Sequence, residues 1–249
     1  MARDFNGSTD RIDYPSAFDT TGQPITISMW VWFDDSAPAA NEYLFNSASS
    51  GGGTGTILFQ ETGIDRSLVF FRLGSTAKTR GTGSAAFSTG TWTHVLATCD
   101  GVMTTGSSAH IYINGTVFDD ASANGATETT ANSGFQLGGR SSDDARNFDG
   151  RIAEVGVWNR VVSAGEIAAL AKGFPPDHFP YLLEFHDPLI RAAGNRRGGA
   201  ATLDGTTVIE HPRVIRRLRP LDARRSIAYV PPAEAAAPSL HVATTGMRW

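Results

Sequence analysis

The chain holds a single cysteine, Cys99, among 249 residues, so no intrachain disulfide can form. Cys99 lies in the apolar strand pattern HVLATCDG and reads as a small core residue rather than a nucleophile. Charge is scarce: Asp, Glu, Lys and Arg make up 18% of the residues, and the net charge of −4 points to no partner by itself. No apolar run approaches the roughly 20 residues of a membrane-spanning helix, so no membrane partner is expected. Met1 leads almost directly into FNGSTDRIDY, without the basic and apolar segments of a secretory signal. Synthesis in a cytoplasm is therefore expected, with lysis or a specialised route as the way out.

Glycine, by contrast, is abundant at 27 residues, and it weakens helices while suiting short strands joined by tight turns. ITISMWVWF places Ile25, Ile27, Met29, Val31 and Phe33 on one face of a strand and Thr26, Ser28, Trp30 and Trp32 on the other. The second face turns from polar to aromatic, as expected of a central strand whose far half is covered. RSLVFFRLG and WTHVLATCDG are similar runs, and RIAEVGVWN is a further strand. In HIYINGTVFDD the pair Asn114-Gly115 predicts a hairpin, because a type I′ turn needs two residues tolerant of positive φ. SAGEIAALAKG predicts one short helix, with Ser163 as cap, Glu166 completing a capping box and Gly173 as the stop.

Composition divides the chain into residues 1–173, a β-sandwich; residues 174–211, a connector with edge strands; and residues 212–249, an extended, basic, Pro-rich arm. The connector opens with FPPDHFP and continues through YLLEFH, the turn region GNRRGG and ATLDGTTVIEH. Two or three strands do not hold together alone. Leu182–Phe185 and Thr206–Ile209 are therefore expected to pair with open edges of the sandwich. Of the 21 basic and 25 acidic residues, seven Arg but only Asp222 and Glu234 fall in residues 212–249, leaving 14 basic against 23 acidic before them. A basic end on an acidic body can bind an acidic surface, including that of a second copy.

The order of motifs in residues 1–173 resembles the laminin-G-like, concanavalin-A-like family. FNGSTDRIDY is similar to its opening strand, ITISMWVWF to its Trp-bearing central strand and GTWTHVLATCDG to its Trp-x-His-Val strand. IYINGTVF resembles its Asn-Gly hairpin, and FQLGGRSSDDARNFDGRIAEVGVWNRVVSAGEI its closing strand and helix. The implied fold is an all-β antiparallel jelly-roll sandwich with one short helix and, here, an extended C-terminal arm. The segment after the helix resembles one that many such proteins place before the domain, which implies a permuted arrangement.

The fold also hosts glycanases, which need two carboxyls roughly 5–9.5 Å apart across the scissile bond. Glu61, Glu154, Glu166 and Glu184 are isolated in the sequence, while Asp143, Asp144 and Asp149 fall in an expected loop. No catalytic residues and no enzymatic activity are expected. His94 alternates with Trp92 and Leu96 and reads as a buried, hydrogen-bonded imidazole, and His178, His186 and His211 lack metal-ligand spacing. The resemblance raises calcium, for which Asp143, Asp144, Asn147 and Asp149 are oxygen ligands of the right type. Ala153 stands where the family often has an acid, so the loop reads as a solvated acidic one, with no metal or other cofactor expected. Trp30, Trp32, Trp92 and Trp158 read as core rather than sugar platforms.

HPRVIRRLRPLDARRSIAYVPP supplies Arg213, Arg216, Arg217, Arg219, Arg224, Arg225 and Tyr229, and Trp249 ends the chain. Clustered Arg suits nucleic acid, but one nearby aromatic and an acidic body argue against that partner. Val214, Ile215, Leu218, Leu221, Ile227 and Val230 suit docking along a neighbouring polypeptide, with Arg pairing to its acids. Chains of this kind resemble virion proteins of tailed bacteriophages, which are released by lysis. The expected function is a non-enzymatic structural protein of a phage particle, in head decoration or a tail or fibre, with other virion proteins or copies of itself as partners. The alternative is a carbohydrate-binding, lectin-like module recognising glycans.

Overall fold

The computed structural model describes residues 2–14, 24–47, 55–73, 77–101, 109–119, 134–140, 146–189, 201–205 and 207–209. They form two antiparallel sheets packed face to face, the expected all-β sandwich. In the eight-stranded sheet the order is β10 (Thr116–Val117), β9 (Ala109–Ile113), β8 (Trp92–Cys99), β3 (Ile25–Phe33), β12 (Asp149–Trp158), β1 (Ala2–Asn6) and β15 (Thr207–Ile209). β13 (Leu183–Asp187) joins the same sheet by pairing with β12. In the seven-stranded sheet the order is β14 (Thr202–Asp204), β2 (Arg11–Tyr14), β11 (Phe135–Leu137), β4 (Glu42–Asn46), β5 (Gly55–Gln60), β6 (Leu68–Leu73) and β7 (Ala77–Gly81).

Side-chain alternation decides what lies between the sheets. Ile25, Ile27, Met29, Val31 and Phe33 are all inaccessible to solvent and share one core with Leu44, Leu58, Phe70 and Phe135 of the facing sheet. Each fully buried side chain of this size contributes roughly 1.5–3 kcal/mol over an exposed one. Phe135 stacks on Tyr14 at 4.6 Å between ring centroids and meets Phe185 edge-on at 4.7 Å. Cys99 is buried in the same core. The hairpin between β9 and β10 turns at Asn114 (φ 52°) and Gly115 (φ 84°), the geometry that the Asn-Gly pair predicts.

The outer face of β3 is divided. One half lies beside a second apolar cluster, in which Ile167 and Leu170 of α1 (Ala164–Ala171) pack with Leu96, Trp158, Val162 and Leu183. The other half carries Trp30 and Trp92 with Ala2 and Ala153. Ser163 caps α1 and Glu166 completes the capping box, while Arg160 holds both Glu166 oxygens at 2.6 and 2.7 Å. Hydrogen bonds from Arg160 lower the Glu166 carboxyl to about 2.

The segment after the helix returns to both sheets. β13 pairs with residues 155–158 of β12, and β1 pairs with residues 149–152 of the same strand. Leu182 stands outside the ladder because its φ of 51° breaks the extended run. The stretch expected as one strand, ATLDGTTVIEH, is two. β14 pairs with β2 in one sheet and β15 with β1 in the other. The break falls at Gly205 (φ 75°), where a Cβ would strike the Asp10 carboxylate, so the chain turns there from sheet to sheet. A buried polar knot ties β13 inward: Tyr14 Oη donates to Asp187 Oδ2 at 2.8 Å and Leu189 N to Asp187 Oδ1 at 2.7 Å. Burial raises the Asp187 carboxyl and, still more, the Tyr14 hydroxyl.

Arg213, Arg216, Arg217, Arg219, Arg224, Arg225, Tyr229 and Trp249 of the expected arm lie outside the described residues, as do Asp143 and Asp144. Replacing Ser163 with Ala removes the acceptor for the Glu166 N–H and is expected to cost about 1 kcal/mol in chemical denaturation. The Glu166 carboxyl also makes stability depend on pH. Its folded value lies below its ordinary one, so its contribution is present above about 4.5 and is lost as pH falls towards about 2. Glu166→Gln should flatten that acid limb in urea titrations run between pH 5 and 2.

Candidate functional site

A cleft of about 300 Å³ opens at the end of the sandwich where β12 begins. Ser8, Ala39, Ala40, Asn41, Glu42 and Asn147 line it. Three loops build it. In the β1–β2 turn, Asn6 Oδ1 accepts the N–H groups of Ser8, Thr9 and Asp10 at 2.9, 3.0 and 3.2 Å, which fixes the backbone at Ser8. In the loop entering β4, Asn41 Oδ1 accepts Thr62 N at 2.8 Å and the Pro38 carbonyl accepts Gly63 N at 3.0 Å. Ahead of β12, Asn147 Nδ2 donates to the Ser8 carbonyl. Gly139 is required beside it, because a Cβ there would strike Asn147 Oδ1. Asn147 is therefore built into the wall.

Glu42 is the site's least expected group. It is 9% exposed, and its Oε2 accepts the backbone N–H of Asp149 at 3.2 Å. Burial pushes its carboxyl up to about 7. The hydrogen bond from Asp149 works against this, while the charges of Asp149 and Asp35 add to it. Asp149 is raised too, by burial and then by Asp34, Asp35 and Asp4. Carboxylates from β1, the β3–β4 loop, β4 and β12 thus meet at one rim.

Asp149 is the first residue of β12, not a loop residue as expected; its carbonyl accepts Asp34 N at 3.4 Å. Among the described residues no group of three His, Cys, Asp or Glu side chains could hold a metal ion. Asn147 is engaged with the Ser8 backbone, and burial disfavours the ionised form of Glu42. The described residues therefore do not form a calcium cage.

His94 is 1% exposed, its Nε2 2.9 Å from Ser28 Oγ. The sequence pointed to no such serine, although pairing of β3 with β8 places Ser28 one diagonal step from His94. Burial lowers the imidazole to about 3, so it is neutral. Its Nδ1 has no hydrogen-bond partner, and with both side chains buried the pair does not make a working nucleophile. Trp30, Trp92 and Trp158 are buried as expected. Trp32 is half-buried, with the Arg151 guanidinium 4.9 Å from its ring centroid and Arg151 paired to Asp4 at 3.0 Å.

A model of the concanavalin A-like lectin/glucanases superfamily, Laminin_G_3, matches residues 6–168. The chain belongs to this superfamily. No curated protein matches it. Among solved structures it is similar to a Bacteroides ovatus protein described as carbohydrate-binding, at 17% identity and TM-score 0.59, over 86% of this chain and 61% of that one. It is similar to domain 4 of AbnA, an extracellular arabinanase of Geobacillus stearothermophilus solved with arabinotriose, at 22% identity and TM-score 0.52, over 68% of this chain and 76% of that one. A heptameric SAP-like pentraxin of Limulus polyphemus matches at 15% identity and TM-score 0.51, over 70% of this chain and 82% of that one. At these identities the likeness is one of fold.

Within this superfamily domain, sequence reading missed Ser8, Asn41 and Glu42, because no period or spacing joins residues brought together from three loops. The one signal was local: Asn147 and Asp149 flank the start of a strand facing those loops. The Glu42 value gives a stability prediction. Its folded value lies above its ordinary one, so stability falls as pH rises from about 4.5 to 7. Glu42→Gln should remove that fall and raise stability at pH 8 by at most about 3 kcal/mol, read from urea unfolding at stepped pH.

Proposed function

We propose that the chain is a carbohydrate-binding, lectin-like module whose ligand enters the rim cleft. The observation that carries this reading is the cleft itself. It is pre-formed, lies at the lower end of the size range of small-ligand pockets, and is lined by amide, hydroxyl and carboxyl groups fixed by their own hydrogen bonds. Such donors and acceptors suit sugar hydroxyls. Membership of a lectin-bearing superfamily supports the reading, as does likeness to a protein described as carbohydrate-binding and to a domain solved with arabinotriose.

Binding is proposed without catalysis. Glycoside cleavage needs one protonated and one ionised carboxyl with the sugar between them. Glu42 instead turns one oxygen onto the Asp149 backbone.

Ala40 is exposed on the cleft wall, so Ala40→Trp fills the cleft with little effect on the fold. On a glycan array the wild type should retain a defined set of oligosaccharides, and Ala40→Trp should lose them while unfolding at the same temperature. Unchanged retention by the variant would remove the cleft as the site.

A second reading draws on the sequence of residues 212–249. Its seven Arg and apolar side chains support a docking arm, and with it a structural place in a phage particle beside other virion proteins. Deleting 212–249 should then abolish incorporation into particles while the remaining chain unfolds as before. Normal incorporation of the truncated chain would refute the arm.

A further inference from the structure

We infer that the rim cleft selects cationic amino sugars over neutral ones and rejects anionic glycans, an inference that rests on the glycan-binding reading above. The geometry supplies a small cavity with one carboxyl in its wall and further carboxyls around it. Glu42 lines the cleft, and the backbone N–H of Asp149 holds it in place at 3.2 Å. Asp35 is fixed nearby: its Oδ1 accepts Ala37 N at 3.0 Å and its carbonyl accepts Gln60 Nε2 at 2.9 Å. Gln60 stands directly across the ladder from Glu42 and is fully buried, yet its Oε1 has no donor. Behind the cleft wall there is thus a buried acceptor as well as a buried acid, and among the described residues neither meets a cation.

Charge decides the ligand class. The charges acting most on Glu42 and Asp149 are those of Asp4, Asp34, Asp35 and of Asp149 itself, all negative. Of the described cations near this end, two are engaged by carboxylates: Arg151 pairs with Asp4 and stacks on Trp32, and Arg11 pairs with Asp13 at 3.0 Å. Arg140 lies 5.8 Å from the Tyr43 ring centroid. Arg146 adjoins Asn147, and its Nε is buried without an acceptor. A uronate or sulfate entering here meets like charge in a partly desolvated site. An ammonium on a pyranose ring meets an acceptor that favours ionisation once the cation arrives, while Asn41 and Ser8 remain for the hydroxyls.

Isothermal titration of the full chain at pH 6 tests this with three probes: the glucosamine trimer, its fully N-acetylated counterpart and trigalacturonate. The expected order is glucosamine trimer, then the acetylated trimer about tenfold weaker, then no measurable binding of trigalacturonate. Glu42→Gln and Asp35→Asn should each shrink the gap between the two trimers by weakening the glucosamine trimer. Trigalacturonate binding as tightly as either trimer would overturn the inference and leave the glycan reading standing. A trimer preference that survives both substitutions would overturn it too. Absence of binding by all three probes would overturn the inference, and the array result then decides the broader reading separately.

Discussion

The fold depends on one strand, β12, dividing one of its edges between two partners. Its other edge is paired with β3 along nearly its whole length. On the divided edge, β1 takes residues 149–152 and β13 takes residues 155–158. The join is marked by a bulge between Ala153 and Gly156, where Glu154 adopts φ 49°. A bulge adds a residue to one strand and bends it, which lets two segments enter one edge without collision. Glu154 lies 3.2 Å from the buried His186, so the irregular residue is held by the strand it admits. Gly156 is needed there because a Cβ would lie 2.6 Å from Pro176. Segments from the two ends of the described chain thereby complete one sheet.

That division also sets the rim. Because β1 holds the first half of β12, the β1–β2 turn is brought over Asn147 and Asp149, and the cleft is closed on that side by backbone rather than by flexible side chains. On the other side β4 enters through Glu42, whose carboxyl reaches the Asp149 N–H. A single hydrogen bond therefore spans from one sheet to the other at the mouth of the cleft.

Most of the sandwich was legible because strand alternation and the local turn and cap signals were strong. The alternation in ITISMWVWF places five side chains in the core, and Asn114-Gly115 forms the hairpin turn it predicts. Ser163 and Glu166 likewise form the expected capping box. Legibility ended where structure depends on contacts distant in sequence. The break at Gly205 is set by Asp10, nearly two hundred residues earlier, and β14 and β15 consequently join different sheets. Asp149 was read as part of a loop because strand alternation becomes visible only after it. The candidate site was the least legible part, since Ser8, the adjacent Asn41 and Glu42, and Asn147 come from three stretches distant in sequence and none is unusual in its local context.

Two buried ionisable groups show how differently the fold treats polar burial. His94 is neutral, shares a hydrogen bond with Ser28 through Nε2 and lies against Trp30 at 5.3 Å between ring centroids, so it is held in the core without charge. Glu42 is not settled in the same way. It has one backbone donor, further carboxylates nearby and a cavity in front of it, and its ionised form weakens the fold. A group that costs stability at the mouth of a pre-formed cleft is compensated most directly by what enters that cleft. For an acid, the complement that lowers the cost most is a positive charge carried by a ligand otherwise able to hydrogen-bond. The same electrostatic arrangement that makes the rim expensive in the empty protein therefore gives it a preference.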